Sequence, residues 1–424
     1  MEKEEESFKV KHKFGSEADR SLKELTVHDK NRHGRLLAAI DIPLGGDGKA
    51  TGTGWNVCTF LVLLQFITHL SVFRIESLRY YLTLTNFGSA GYFVQNVIRF
   101  DQVIGNLRTS IGNASISFGC GMEQTGKLAL SVGALDVLIG FGASNTSILS
   151  QLTSSGKTKK KFSHCLDGRN GGGIFVIGDV VQPIIKTTPL VPNATHYNVN
   201  MESVRVGNTV LDIPKEIFKV GDGKGTIIDS GTTLAYLPGS NFRSTETNSM
   251  EFYNLYILTS QDNLNIHLVD GLLECFKFDK SIDDSFPTVT FGFQNSLELK
   301  VYPHDYLILY ENEWCFGWQD SGNLGSSAVD ELIILGGNSH LTNKLVLYDL
   351  ENQVLGLSDY NCSSTIGLKD EVSGAVNQVG SHDLSSSPSR NQMDISSSTA
   401  HYHLDFGRVI KLFLLSFVLY NYVY

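Results

Sequence analysis

Asp229 stands in the run GTIIDSGTTLAYLP, residues 225 to 238, after two isoleucines and inside a turn rich in Ser, Gly and Thr. A carboxylate fixed at the end of a buried strand can take a proton from water. The hydroxyls of Ser230 and Thr232 are of the right type to hold its oxygens, and Gly231 permits a tight turn. Chemistry of this kind normally uses two carboxyl groups that share one proton, because like charges a few ångströms apart cannot both ionise. A tetrad of this form alone is a modest signal, arising by accident in roughly one such chain in twenty. Its setting strengthens it. The run LIILGG, with Gly336 and Gly337, lies downstream, and DVLIGFG, with Leu138, Ile139 and Gly140, lies upstream. Two apolar-apolar-Gly elements are therefore present, but a single acidic turn accompanies them.

The elements that must position Asp229 read as strands. Between residues 80 and 362, short apolar or alternating runs such as YFVQNVIRF, SISFGCG, GGIFVIGDV, YNVNMESVRVG, LKVYPHDYLILY and NKLVLYDL are separated by Gly, Asn, Asp or Pro turns. Long stretches of helical period are few. The expected class is mainly β, with sheets packed or closed on themselves.

Composition narrows the function. The 424 residues suffice for two packed lobes, and with 42% apolar and 18% charged residues the chain is globular. A formal charge of -10 disfavours nucleic acid as a partner. Cys58, Cys120, Cys165, Cys275, Cys315 and Cys362 form no metal-binding spacing, so neither a metal nor a cofactor is expected. Asn113, Asn145, Asn193 and Asn361 open Asn-x-Ser/Thr triplets, a number that chance also supplies.

The ends carry targeting information. MEKEEESFKV lacks the apolar core of a secretory signal, so export is unexplained by the sequence as written. Residues 55 to 73, WNVCTFLVLLQFITHLSVF, are long enough to span a bilayer but carry Gln65, Thr68 and His69; a buried segment is an equal reading. Residues 363 to 408 read as a polar stalk, and 409 to 424 as an apolar tail. Small residues, spacer and tail come in the order of a GPI-attachment signal, with cleavage near Ser396 to Ser398.

The motifs IIDSGTTLAYLP, IILGG, SFGCG, LIGFG, FSHCLDG, KTTPLV and NKLVLYDLENQ resemble those of the pepsin-like aspartic endopeptidases, specifically their GPI-anchored plant branch. The likeness runs from about residue 8 to residue 424. It implies a bilobal β-fold with one catalytic Asp from each lobe. Asp229 with Ile334 to Gly336 matches the C-terminal pair; Leu138 to Gly140 matches half of the N-terminal one. The interval where the first Asp loop belongs, residues 51 to 93, holds no aspartate and is shortened and partly replaced by apolar sequence. Asp320, in FGWQDSGNLGS, reads as a surface turn. The flap region keeps Gly91 and Tyr92 but lacks its usual turn, leaving Tyr80 and Tyr81 as candidate flap residues or as core.

By the same resemblance the chain divides into a pro-segment-like region (1–54), an apolar insert (55–79), the remnant of an N-terminal lobe (80–190), a C-terminal lobe (191–362), the stalk and the tail. Lys11, Lys13, Arg32 and Arg35 belong to the pro-segment and would lie across an acidic cleft or face solvent. The implied disulfides are Cys275–Cys315 and Cys165–Cys362; Cys120 lacks its family partner, and Cys58 is the spare. The expected protein is a monomer acting on peptides or proteins at acidic pH, held at the outer membrane face by a GPI anchor or by the terminal apolar segment. Without a second Asp its rate is expected to fall by at least roughly 10²–10⁴. A non-catalytic peptide- or protein-binding role is the alternative.

Overall fold

Strand after strand follows from the spacing of apolar residues. In Leu297–Val301 the side chains of Leu297, Leu299 and Val301 are buried, while Glu298 and Lys300 face outward. Lys161–Leu166 and Lys344–Asp349 are buried on both faces, as strands at the centre of a molecule must be. The computed structural model describes residues 6–8, 59–60, 73–84, 87–126, 140–167, 173–194, 196–221, 224–232, 234–238, 264–269, 273–310, 312–321, 332–336, 340–370 and 373–381. The candidate pro-segment cations, Leu138 and Ile139, Gly337, Cys58, most of the apolar run 55 to 73, the GPI cleavage region and the apolar tail lie outside them.

One large antiparallel sheet joins the two halves of the chain. Its order is Thr59–Phe60, Arg108–Gly126, Phe87–Gly105, Glu6–Phe8, Gly173–Ile177, Lys161–Leu166, Lys344–Asp349, Val354–Asp359 and Lys186–Pro189, with Phe73–Leu84 paired to Phe87–Gly105. Residues 344 to 359, expected in the C-terminal lobe, thus extend the sheet of the N-terminal region. Glu6–Phe8 fills the place between Asp101–Gln102 and Phe175–Ile177. Tyr80 and Tyr81 lie in the strand opposite Gly91 and Ala90.

The C-terminal part adds smaller sheets. One runs Asn198–Val199, Gly225–Asp229, Leu332–Gly336, Ala235–Leu237 and Trp318–Asp320, and it carries the site. In another, Cys275 lies directly opposite Cys315 and the two form a disulfide closing a 40-residue separation. A second disulfide joins Cys165 in the central sheet to Cys362.

The stalk begins later than the sequence reading placed it. Thr365–Lys369 and Val376–Gly380 form a hairpin that pairs with Asp179–Gln182. Ile366, Leu368 and Val379 are buried there beside Val180 and Cys362. Enough apolar side chains stand at period two to anchor the segment, despite its polar composition. The N–H of Leu107 and Asn106 Oδ1 bond the main chain of Gln378 at 2.8 and 2.9 Å, tying this hairpin to the tip of the long one. Among the described residues no helix is long and apolar enough to cross a membrane.

A buried lysine ties the central strands together. Lys161 contacts Asp349 at 2.9 Å and Asp179 at 2.9 Å. Burial acts to raise the Asp349 carboxyl, but hydrogen bonds from Lys161 and Asn352 outweigh it and leave its pKa below the usual carboxylate value. Stability from such a depressed carboxylate is present above the unfolded value, about 3.9, and disappears as pH falls through the lower folded value. Replacing Lys161 by Met should therefore cost about 3 kcal/mol at neutral pH, since it strands a buried carboxylate. The gap from the wild type should narrow in strong acid. Urea unfolding of both proteins at the two pH values checks this, and a gap that does not change with pH would refute it.

Candidate active site

The Asp229 loop is built by three strands. Gly225–Asp229 runs parallel to Leu332–Gly336, residue for residue, so that Asp229 lies opposite Gly336. The chain then turns and Ala235–Leu237 pairs on the other flank of Leu332–Gly336, with Tyr236 opposite Ile334. The central strand therefore sits between the two arms of the acidic loop. Ile227, Leu234, Tyr236, Leu332 and Ile334 are buried together beneath it.

Gly336 makes that crossing possible. A Cβ placed there would lie 2.2 Å from the carbonyl oxygen of Leu234 and 2.8 Å from that of Thr232, both fixed backbone atoms. This is the physical content of the apolar-apolar-Gly pattern: two apolar residues anchor the strand and a hydrogen lets the loop pass.

Asp229 as a whole is only 6% exposed. The Gly231 N–H donates to Oδ1 at 3.0 Å, and the Thr232 hydroxyl, fully buried, donates to Oδ2 at 2.5 Å. The Thr232 N–H closes the turn on the Asp229 carbonyl at 3.2 Å. One oxygen is thus held by a main-chain donor and the other by a side-chain hydroxyl. Of the supporting residues read from sequence, Thr232 is buried with its hydroxyl on Oδ2, and Ser230 is partly exposed. At Oδ1 the donor is the Gly231 main chain, because a tight turn presents the backbone N–H to that oxygen.

Asp320 is corrected as well. It ends the strand Trp318–Asp320, opposite Leu237, with two strands between it and the one that carries Asp229. Apolar Trp318 at the start of that segment is buried, which draws it into the sheet instead of leaving a free turn.

One buried ionisable side chain escaped the sequence reading. His164 lies in FSHCL, on the strand Lys161–Leu166, opposite Val346. It is fully buried, and neither ring nitrogen has a hydrogen-bond partner. Burial pushes its pKa down to about 3, outweighing the charge of Asp229, which acts in the other direction. The available signal was an ionisable residue within a strand buried on both faces. Gly140, which ends the other apolar-apolar-Gly element, and Phe141 after it are buried, and the Phe141 carbonyl accepts the Tyr197 hydroxyl.

Gly336→Ala should prevent the loop from closing on its strand, and Thr232→Val should leave Asp229 with one oxygen unsupported. The expected costs are several kcal/mol for the first, with loss of soluble protein, and about 1.5–3 kcal/mol for the second, as for a bond to a charged acceptor. Thermal unfolding of the two variants measures them; wild-type stability in Gly336→Ala would refute the steric account.

Family models described as xylanase inhibitor N-terminal and C-terminal match residues 76–179 and 196–359. The chain is 39% identical to Aspartic proteinase 36 of Arabidopsis thaliana, over 90% of this chain and 89% of the relative. It is 37% identical to Aspartic proteinase 39 of the same plant, over 90% of each. The first alignment runs over 444 positions, more than 90% of a 424-residue chain can fill, so it sets several dozen of the relative's residues against gaps. Among solved structures, that of edgp superposes with a TM-score of 0.51 at 18% identity, covering 66% of this chain and 74% of that one. Conglutin gamma, a basic 7S globulin from lupine seeds, gives 0.50 at 20% identity over 65% and 70%. These two show the fold alone. With the acidic loop, its glycine-terminated strand and these relatives in view, the chain belongs to the plant pepsin-like aspartic endopeptidases, a family of peptide-bond hydrolases.

Proposed function

We propose that this chain engages peptide segments at the Asp229 loop and hydrolyses them poorly. One observation carries the reading: Asp229 is held in a form suited to activating water, while the interval expected to supply its partner, residues 51 to 93, contains no aspartate. A lone carboxylate can act as base, but no second acid then polarises the peptide carbonyl.

The proposed setting is the outer face of the plasma membrane, reached through the secretory pathway, with a GPI anchor formed from the small residues, spacer and apolar tail. All four sequon asparagines, Asn113, Asn145, Asn193 and Asn361, are exposed, which suits glycosylation of an exported chain. The pro-segment-like residues 1 to 54 would make the protein a zymogen, and the working unit is a monomer.

A second reading, binding without cleavage, is favoured by the family models, whose description names an inhibitor and not a protease. The two are separated by assaying peptide cleavage at acidic pH, with and without pepstatin. The expected rate lies roughly 10²–10⁴ below that of Aspartic proteinase 36, and Asp229→Ala removes what remains. Turnover equal to that of the relative would overturn impaired catalysis. Identical inertness of the wild type and Asp229→Ala, with peptide or protein binding retained, would establish the binding role.

A further inference from the structure

Large apolar side chains gathered in water mark a surface that meets something apolar. Of the nine that are exposed among the described residues, Ile104, Leu107, Ile184 and Val376 belong to segments that meet at one place. There the tip of the hairpin formed by Phe87–Gly105 and Arg108–Gly126 lies against the outer edge of Val376–Gly380, through the bonds of Asn106 and Leu107 to Gln378. Leu107 reaches over Gly380, where an added Cβ would come within 3.3 Å of its Cδ2 atom. It is 67% exposed and holds a φ of 54°, a left-handed conformation that strains a leucine and that Gly or Asn adopts more readily. On the same outer face Gln378 bonds Thr365 at 3.1 Å and Gln182 at 3.3 Å, so the centre is polar but uncharged. Two residues beyond Gln182, Ile184 is 95% exposed. Arg108, next to Leu107, and Lys369, opposite Val376, are exposed cations at the rim. Asp179, also in register with Lys369, is engaged by Lys159 and Lys161.

We propose that this face rests on the outer leaflet of the membrane to which the tail attaches the chain, with Leu107 and Ile184 inserted among the lipid headgroups. This orientation depends on the proposed anchor and adds to it which side of the protein meets the bilayer. The described chain leaves this face at residue 381, and about sixteen residues, 382 to 397, separate it from the proposed cleavage site. Fully extended they span at most roughly 55 Å, about the diameter of a folded chain of this size. The face beside residue 381 is therefore the part of the folded body that the tether brings to lipid first. Once tethered, the protein is at high effective concentration at the surface, so a few apolar side chains suffice to hold the contact. Arg108 and Lys369 then set their cations at headgroup phosphates while their stems lie along the lipid.

The test mixes the full chain with phosphatidylcholine vesicles whose acyl chains carry bromine, a quencher of tryptophan emission. On attachment, the emission that Leu107→Trp and Ile184→Trp each add over the wild type should fall at least roughly twofold. Val210→Trp, at an exposed position on the edge of another sheet, should lose none. If the chain floats with the vesicles and none of the three is quenched, or all are quenched alike, the docking face is overturned and the anchor stands. If the chain neither floats nor shows quenching, both fail. Emission from Leu107→Trp that follows protein concentration and not lipid, with a dimer in sedimentation that Leu107→Asn combined with Ile184→Asn abolishes, overturns lipid as the occupant in favour of a second copy. Should Leu107→Trp not fold, Ile184→Trp, at a position almost wholly in solvent, decides alone.

Discussion

The absence of a side chain at Gly336 governs the arrangement around the candidate carboxylate. Two backbone carbonyls, from Thr232 and Leu234, occupy the space that any larger residue would need. Their approach allows the loop to straddle the strand Leu332–Gly336, which in turn fixes the end of Gly225–Asp229 beside it. Once the backbone is placed, the Gly231 N–H and Thr232 hydroxyl reach the carboxylate without further adjustment. Packing precedes chemistry here: the charge is oriented by hydrogen bonds whose donors are held by a steric fit.

The ion pairs of the core respond to acid in opposite directions. Asp349 loses a stabilising interaction when it takes up a proton, since Lys161 and Asn352 favour its ionised form. Asp305 differs. Burial raises its pKa more than Lys344, at 3.2 Å, lowers it. The folded protein therefore binds that proton more readily than the unfolded chain, and a fall in pH toward the ordinary carboxylate range favours folding at this point. A protein with both kinds of pair can keep its net stability flatter across acidic pH than either pair alone would allow.

Much of the site was legible in the sequence, for reasons that differ residue by residue. Asp229 and Gly336 were visible because their types are dictated by chemistry and sterics. Thr232 followed from its hydroxyl. Ser230 has the same hydroxyl but is partly exposed, and the Gly231 N–H that holds the other oxygen leaves no mark on a sequence, since every non-proline residue carries one. His164 was hidden by its neighbours: only the pairing of its strand between Gly173–Ile177 and Lys344–Asp349 shows how deeply it lies. The hairpin of residues 365 to 380 was missed because serines and charged residues surround the few apolar positions that anchor it. The Cys275–Cys315 and Cys165–Cys362 pairings came from the family likeness, as spacing alone leaves several connectivities open.

The joint between Asn106–Leu107 and Gln378 links positions 272 residues apart. The central sheet likewise needs Lys344–Asp349 beside Lys161–Leu166. During synthesis the front half of the chain therefore waits with open sheet edges until nearly the last described segment has left the ribosome. Such a molecule cannot mature one lobe at a time, and its nascent form is the state most in need of a chaperone.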